Sequence, residues 1–277
     1  STRVVGKFVE ARLGKPELVR ETSRRSPTKQ PLQWLKSLVR TVKSEDALSG
    51  VVLQEKLQSR LLRVAKSTQN TKQNKAPFRH LLLYGPPGTG KTLFAKGLAR
   101  HSGLEYAILT GGDVAPLGRD GVTEIHKVFD WAKASRKGLL LFIDEADAFL
   151  QKRSHIAMSE DARNALNAFL YRTGEQSDKF MVVFASNQPE QFDWAVADRV
   201  DELVEFQLPG RDERLDMLEM YLGKYIESAH EQKSFGRAQR IALGDDVDAE
   251  FLTQLVDNFH FRPVGIHWTH HFHADVT

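Results

Sequence analysis

Residues 85–92 read GPPGTGKT, and this loop of the form G-x-x-x-x-G-K-T constrains the fold more than any other part of the chain. The apolar run Leu81–Tyr84 precedes it, and the stretch Leu93–Ala99 after it has helical apolar spacing. A strand, a phosphate loop and a helix therefore follow one another in the order that a nucleotide-binding α/β core requires. The alternative is a glycine-rich turn that binds no phosphate.

The residue types of this loop suit a nucleoside triphosphate. Glycines let backbone N–H groups converge on the α- and β-phosphates, Lys91 reaches the β- and γ-phosphate oxygens, and the Thr92 hydroxyl is placed to ligate Mg²⁺. ATP and Mg²⁺ are thus the predicted cofactors. The predicted nucleotide-binding residues here are Gly85, Pro86, Pro87, Gly88, Thr89, Gly90, Lys91, Thr92 and Leu93.

A second apolar run, Leu139–Ile143, leads directly into Asp144 and Glu145. Such a run suits a strand of a parallel sheet that is buried on both faces, and open α/β sheets bind ligands at the carboxyl ends of their strands. We expect Asp144 to hold Mg²⁺ through a water molecule, beside Thr92, and Glu145 to act as the base that orients and polarises the attacking water. Taken alone, the run could equally be an ordinary strand that ends in a solvated turn.

A third apolar run, Phe180–Ser186, ends in Asn187, whose amide is a candidate to lie beside the γ-phosphate and the water. Alternatively, Asn187 only starts a turn before Pro189. The order of phosphate loop, acidic strand and polar strand end resembles the AAA+ ATPases, in which Asn187 matches the sensor-1 position. The resemblance implies an α/β P-loop core, with a parallel sheet flanked by helices, and a small, here truncated, all-helical lid.

The stretch 192–202, followed by Pro209, resembles the AAA segment that carries an arginine finger. Arg199 is the best match, and a guanidinium there would act in trans on the γ-phosphate bound to a neighbouring subunit. Family members often carry a second arginine three residues earlier, where this chain has Val196. The alternative is a surface arginine that pairs with Asp198 or Asp201.

From about residue 3 to about 256, the chain resembles a narrower family, the mitochondrial ATPase-family AAA-domain-containing 3 proteins. The resemblance rests on long, unusual motifs, which are residues 10–16, 18–24, 110–116, 128–132 and 162–170. It implies an ATPase of the mitochondrial inner membrane with its catalytic domain in the matrix, assembled as a homo-oligomer that is a hexameric ring. It also implies roles in membrane organisation, nucleoid maintenance and lipid or cholesterol handling.

Residues 51–53 resemble the segment that covers adenine in this family, so Val51 and Val52 are predicted nucleotide contacts. Leu57, Leu61 and nearby apolar residues then recur at helical spacing. We expect the polar stretch Ser67–Lys75 after this helix to be a loop.

Four regions are predicted along the chain. Residues 1–30 form a basic arm that in the family follows a membrane anchor, which is missing here, and residues 31–209 form the AAA+ core. Residues 210–257 form a partial helical lid, and residues 258–277 an atypical, disordered tail. The lid lacks the turn that carries the sensor-2 arginine of the family, so that role is not assigned.

Charge is distributed unevenly. Residues 1–80 hold 18 Lys and Arg against 6 Asp and Glu, a net +12, whereas the remainder holds 21 against 30, a net −9. A basic arm could contact anionic lipid headgroups or mitochondrial DNA phosphates without reading base sequence. Its alternative is a solvated connector. The chain has no cysteine, which excludes disulfides and cysteine–metal sites.

The sequence is also compatible with two functions other than ATP hydrolysis. The first is an assembly scaffold that binds ATP and hydrolyses little of it. It is supported by the incomplete lid, by the single arginine finger and by the predicted pore loop Asp113–Arg119, which has no aromatic residue. Pro116 also restricts this loop, which counts against threading of a polypeptide. The second is a nucleic-acid- or lipid-binding module that acts through the basic arm.

Overall fold

The computed structural model describes residues 15–24, 47–48, 50–150, 159–188, 192, 194–218 and 220–221. These residues fall into two compact units, one comprising residues up to 86 with 90–208, the other residues 87–89 with those from 209 onward. The predicted lid beyond residue 221, the tail 258–277 and residues 1–14 and 25–30 of the predicted arm lie outside the described residues.

The first unit alternates strands with helices. In chain order its elements are β1 (Glu21–Thr22), α1 (Glu55–Gln73), β2 (Leu81–Tyr84), α2 (Lys91–His101), β3 (Glu105–Thr110), two 3₁₀ turns (Gly111–Asp113 and Ala115–Asp120), α3 (Gly121–Lys133), β4 (Leu139–Asp144), α4 (Asp147–Leu150), α5 (Glu160–Thr173), β5 (Phe180–Ser186), α6 (Trp194–Ala197) and β6 (Glu202–Glu205). Ser159 is the N-cap of α5, and its hydroxyl accepts the Ala162 N–H at 3.2 Å.

The six strands form one sheet in the order β1-β3-β4-β5-β2-β6. The four pairings among β2 to β6 are parallel, and β1 pairs antiparallel with β3. The predicted α/β fold with helices around a parallel sheet is confirmed. The antiparallel edge strand was not predicted, because a two-residue strand carries no periodic pattern.

An apolar layer lies on each face of the sheet, since successive strand residues point to opposite faces. Ile143 belongs to the layer that contains residues of α3 and α5. Its neighbour Phe142 belongs to the other layer, with residues of α1 and α2. Covering both faces explains why β4 and β5 read as unbroken apolar runs rather than as alternating ones.

Helix α1 is longer than predicted and ends at Gln73. The prediction of a loop over Ser67–Lys75 is therefore wrong for residues 67–73. The Thr68 hydroxyl donates to the Val64 carbonyl at 2.9 Å, and the Lys72 ammonium donates to the Gly103 carbonyl. These contacts give polar side chains partners along the helix. No described helix combines the length and the hydropathy needed to cross a membrane.

In the second unit, residues 211–218 are helical, within the range predicted for the lid. The Arg214 N–H donates to the Gly210 carbonyl at 3.1 Å and closes the first turn. Residues 87–89 belong to this unit, and Gly88 has a φ of 79°, in the left-handed region that favours glycine.

Candidate active site

The predicted site residues follow strands that are neighbours in the sheet. Strands β4, β5 and β2 are adjacent and parallel, so their carboxyl ends meet at one edge. Asp144 is the last residue of β4, Asn187 directly follows β5, and Gly85 directly follows β2. The structure therefore brings together residues that are separated by about a hundred positions in sequence.

Gly85 is required by a close approach of two backbones. Its φ is 135°, and a Cβ atom there would collide with the Phe206 carbonyl just beyond β6. Its N–H donates to the Ser186 carbonyl at 3.1 Å, which ties the start of the phosphate loop to the end of β5. Only glycine combines this φ with so close an approach of the Phe206 carbonyl.

Lys91 begins α2, and its side chain is buried, with the residue 7% exposed. Its ammonium donates to the carbonyls of Gly85 and Pro86 at 2.7 and 2.8 Å, and to Asn187 Oδ1 at 3.2 Å. Burial lowers the pKa of Lys91, and the carboxylates of Asp144 and Asp147 oppose that shift. The cation is thus held by oxygens at the strand ends where phosphate oxygens are expected.

Thr92 and Asp144 form the adjacent pair. The Thr92 hydroxyl donates to Asp144 Oδ2 at 3.3 Å, while Asp144 Oδ1 accepts the Glu145 N–H at 3.0 Å. The described residues contain no cluster of three or more His, Cys, Asp or Glu that would hold a metal unaided. Mg²⁺ commonly takes one or two protein oxygens together with phosphate oxygens and waters, and this pair fits that requirement.

Glu145 has an unusual backbone. Its φ is 48°, in the left-handed region that costs a non-glycine residue roughly 1 kcal/mol or more. The peptide that follows Glu145 is held by two hydrogen bonds: the Ala146 N–H donates to the Ala185 carbonyl at 2.9 Å, and the Glu145 carbonyl accepts the Ala148 N–H at 3.0 Å. The carboxylate is exposed at the strand end. Strain of this kind is concentrated at functional sites.

Comparison with known proteins agrees with this geometry. A family model described as "ATPase family associated with various cellular activities (AAA)" matches residues 81–208, which span every strand of the site. Residues 81–208 are an AAA ATPase domain. The predicted AAA+ relationship is therefore confirmed.

The chain as a whole resembles proteins named ATPase family AAA domain-containing protein 3. It is 55% identical to the Xenopus tropicalis protein over 273 residues, covering 97% of this chain and 46% of that protein. It is 61% identical to the Caenorhabditis elegans protein over 245 residues, with coverages of 87% and 40%. For the human protein 3A the identity is 59% over 229 residues, with coverages of 82% and 39%. The chain spans less than half the length of these curated relatives.

A solved structure shows the same fold. The AAA domain of FIGL-1 in complex with ADP superimposes with a TM-score of 0.55 at 22% identity, covering 70% of this chain and 68% of that one. At this identity the likeness concerns the fold, and residue roles must come from the geometry of this chain.

Within the AAA domain, Arg199 has different hydrogen-bond partners from those of Lys91. Its Nε donates to the Leu170 carbonyl at 3.0 Å and its Nη1 to the Ala195 carbonyl at 2.5 Å. Leu170 lies in the last turn of α5, where carbonyls favour a cation. Asp201, one of the two suggested surface partners, instead accepts the His80 N–H at 2.6 Å.

The other residues predicted to contact nucleotide differ in how far they are buried. A Cβ built on Gly90, which has a φ of 97°, would lie 3.1 Å from Val51 Cγ1, so Val51 packs directly against the phosphate loop. Val52 is partly buried, and Leu93 is 54% exposed on α2. In the second unit, Thr89 is buried.

Three charged residues near the site were missed in the sequence. Asp147 acts electrostatically on Lys91, and its Oδ1 is buried without a hydrogen-bond partner among the described residues. Asp113 ends the turn that follows β3 and binds Arg20. Asp113 was detectable in principle, because it comes shortly after β3, as Asn187 comes directly after β5. Arg20 was not detectable, because only the fold brings it near Asp113.

Proposed function

We propose that this AAA domain binds Mg·ATP and hydrolyses it to ADP and phosphate. The observation that carries the proposal is the convergence of Lys91, Asn187 and the Thr92–Asp144 pair at adjacent strand ends, with exposed Glu145 beside them. Each group is of the type, and in the place, that phosphoryl transfer to water requires.

In the proposed mechanism, the Lys91 ammonium exchanges its carbonyl and Asn187 partners for β- and γ-phosphate oxygens. Thr92 and Asp144 would hold Mg²⁺, which would supply positive charge to neutralise the phosphates. Asn187 is freed to contact the γ-phosphate and the water. Glu145 orients that water and takes its proton as the new oxygen–phosphorus bond forms, and the electron pair of the broken bond stays on ADP.

We propose that Arg199 completes the site of a neighbouring subunit. Its donors now lie on the Leu170 and Ala195 carbonyls, so acting in trans requires that the side chain exchange these partners in an assembly. AAA proteins typically assemble into hexamers. An arginine finger is worth about 10³ to 10⁵ in turnover, so an isolated chain is expected to be nearly inactive.

The cellular setting is proposed from resemblance alone. We place the protein at the mitochondrial inner membrane, with the ATPase domain in the matrix. Its proposed roles are membrane organisation, nucleoid maintenance and lipid or cholesterol handling. Residues 1–30 would contact anionic lipid or mitochondrial DNA through their basic side chains.

An ATP-binding assembly scaffold is the second candidate, and the observation that favours it is the loop Asp113–Arg119, which has no aromatic residue to grip a threaded polypeptide. The two candidates differ in turnover. An ATPase loses at least about a hundredfold of its turnover in Glu145→Gln while it retains ATP, whereas a scaffold has little turnover to lose.

The test is steady-state ATP hydrolysis across a protein concentration series, with mass measured with and without nucleotide. We expect turnover per protomer to rise with assembly and to vanish in Glu145→Gln and Arg199→Ala. Tight ATP binding with flat, negligible turnover at every concentration would overturn the ATPase proposal and support the scaffold.

A further inference from the structure

The segment Lys15–Arg24 is built into the AAA domain rather than lying outside it. Leu18 and Val19 are 4% and 1% exposed, within the apolar layer that contains α3 and α5. Strand β1 pairs with β3, with Glu21 opposite Ile108. Main-chain bonds extend this pairing in both directions, from the Arg20 N–H to the Ile108 carbonyl at 2.9 Å and from the Ser23 N–H to the Tyr106 carbonyl at 3.1 Å.

Within this segment, Arg20 reaches back toward the strand ends. Its Nε and Nη2 donate to the two carboxylate oxygens of Asp113, at 2.6 and 2.7 Å. Its own carbonyl accepts the Lys15 ammonium at 2.9 Å. A bidentate guanidinium–carboxylate pair fixes both distance and orientation, which a lysine could not do.

Asp113 ends a turn that supports the candidate base. The turn Gly111–Asp113 follows β3 directly, and Thr110, the last residue of β3, pairs with Asp144. Gly111 lies so close to the Glu145 carbonyl that a Cβ there would collide with it. The turn therefore packs against the peptide whose strained φ sets the direction of the Glu145 side chain.

The charge of Arg20 also acts on the site. Asp113 is the main cause that raises the pKa of Arg20, and the carboxylates of Glu145 and Asp144 add to it in that order. The guanidinium is thus close enough to interact electrostatically with both carboxylates of the site. Because the interaction is mutual, removing Arg20 removes a positive charge from their surroundings.

We propose that Arg20 is a positioning residue for ATP hydrolysis, which holds the Gly111–Asp113 turn against Glu145 through its paired contact with Asp113. This inference rests on the proposed function, in which Glu145 orients the water. The segment Lys15–Arg24, which precedes the phosphate loop in sequence, would then be part of the hydrolysis machinery.

The first test compares Arg20→Ala, Asp113→Ala and their double variant with Glu21→Gln. Glu21 is the matched control, because it directly follows Arg20 in sequence but pairs with Lys96. We expect kcat to fall about threefold to thirtyfold in each single variant, with the dissociation constant for ATP nearly unchanged. The double variant should be no slower than the single ones, and Arg20→Lys should recover only part of the loss.

The second test needs no turnover. Amide hydrogen exchange of residues 111–113 and 145–146 should quicken in Arg20→Ala and stay unchanged in Glu21→Gln. Wild-type kcat in Arg20→Ala, or equal losses in Arg20→Ala and Glu21→Gln, would overturn the inference, as would unchanged exchange at the turn. Failure of the proposed function would look different. If the domain does not hydrolyse ATP, the wild-type protein and Glu145→Gln would have the same negligible turnover. Amide hydrogen exchange alone would then decide whether Arg20 holds the turn.

Discussion

The centre of the sheet and its β1 edge are stabilised by different interactions. At the centre, β2, β4 and β5 are buried on both faces, and their ends meet through backbone contacts such as that of Gly85 with Ser186. At the edge, β1 has only two residues, and side-chain contacts supplement its main-chain pairing with β3. There the Arg24 guanidinium lies 4.7 Å from the Trp131 ring centroid and donates to the Trp131 carbonyl at 2.5 Å.

Because of this difference, we expect substitutions in the two regions to have different effects on turnover and on stability. Central residues are placed by the main chain of a rigid sheet, so a substitution at the strand ends should change chemistry before it changes folding. Edge residues contribute packing and ion pairs, so their loss should change stability while turnover stays intact. Arg20 is the proposed exception, because it connects the edge to Glu145 through Asp113.

Two lysines of α2 provide the sharpest contrast. Lys91→Ala should lower turnover at least about a hundredfold, because it removes the cation that is proposed to contact the phosphates. Lys96→Ala, five residues along the same helix, should keep kcat and lose less than about 1 kcal/mol of stability, since its partner Glu21 is 49% exposed and solvent screens the ion pair. Steady-state kinetics and urea unfolding of both variants measure this. Equal losses of turnover would mean that the centre and the edge do not differ as described.

The same contrast explains what could be predicted from the sequence. Strands β2, β4 and β5 and the residues at their ends were predicted, because each polar residue directly follows an unbroken apolar run. The β1 edge was not, since Glu21 and Ile108 become neighbours only through long-range pairing. The end of α1 was missed for a related reason, because Lys72 finds its partner, the Gly103 carbonyl, across the fold.

Packing at the edge is tested by Leu18→Ala. Leu18 is 4% exposed and lines a small apolar cavity of about 20 Å³ with Val114, Ile125 and Phe129. Truncation should enlarge that cavity and lower the free energy of unfolding by about 2 kcal/mol. Leu203→Ala on β6, where the side chain is 51% exposed, is the control and should stay within about 0.5 kcal/mol. Urea unfolding compares the two, and a Leu18 effect as small as that of Leu203 would show that the segment is not packed.

The pH dependence of stability separates the buried centre from the exposed edge. His80, 5% exposed, accepts the Val182 N–H on Nδ1 at 3.1 Å, and burial lowers its pKa despite the opposing effect of Asp201. Its contribution to stability is therefore fully present above about pH 6.5 and is lost as the pH falls through its lowered pKa. We expect the free energy of unfolding to fall over the pH window that begins near about 6.5 and extends down to the lowered pKa.

The variant His80→Asn keeps an acceptor near Val182 but cannot titrate, so the difference in unfolding free energy between wild type and variant should narrow as the pH falls through that window. Chemical unfolding at a series of pH values measures it. A difference that is constant with pH would show that His80 is not neutral and buried in the folded state.

The smallest effect is expected from substitution of Glu21. Its pKa is lowered chiefly by the hydrogen bond from the Lys96 ammonium, at 2.8 Å, and further by the Tyr106 hydroxyl. Partial burial opposes this shift. A lowered carboxylate pKa contributes stability above the unfolded value of about 4.3, and that contribution is lost as the pH falls through the folded value. Because the side chain is 49% exposed, solvent screens the pair, and Glu21→Gln should cost about 0.5 kcal/mol or less at pH 7. That cost should shrink as the pH falls through the lowered pKa of Glu21. Salt should reduce the same difference, since exposed ion pairs are screened. A loss above about 1 kcal/mol that persists at pH 3 would mean that Glu21 holds β1 through packing rather than charge, which would make the edge resemble the centre.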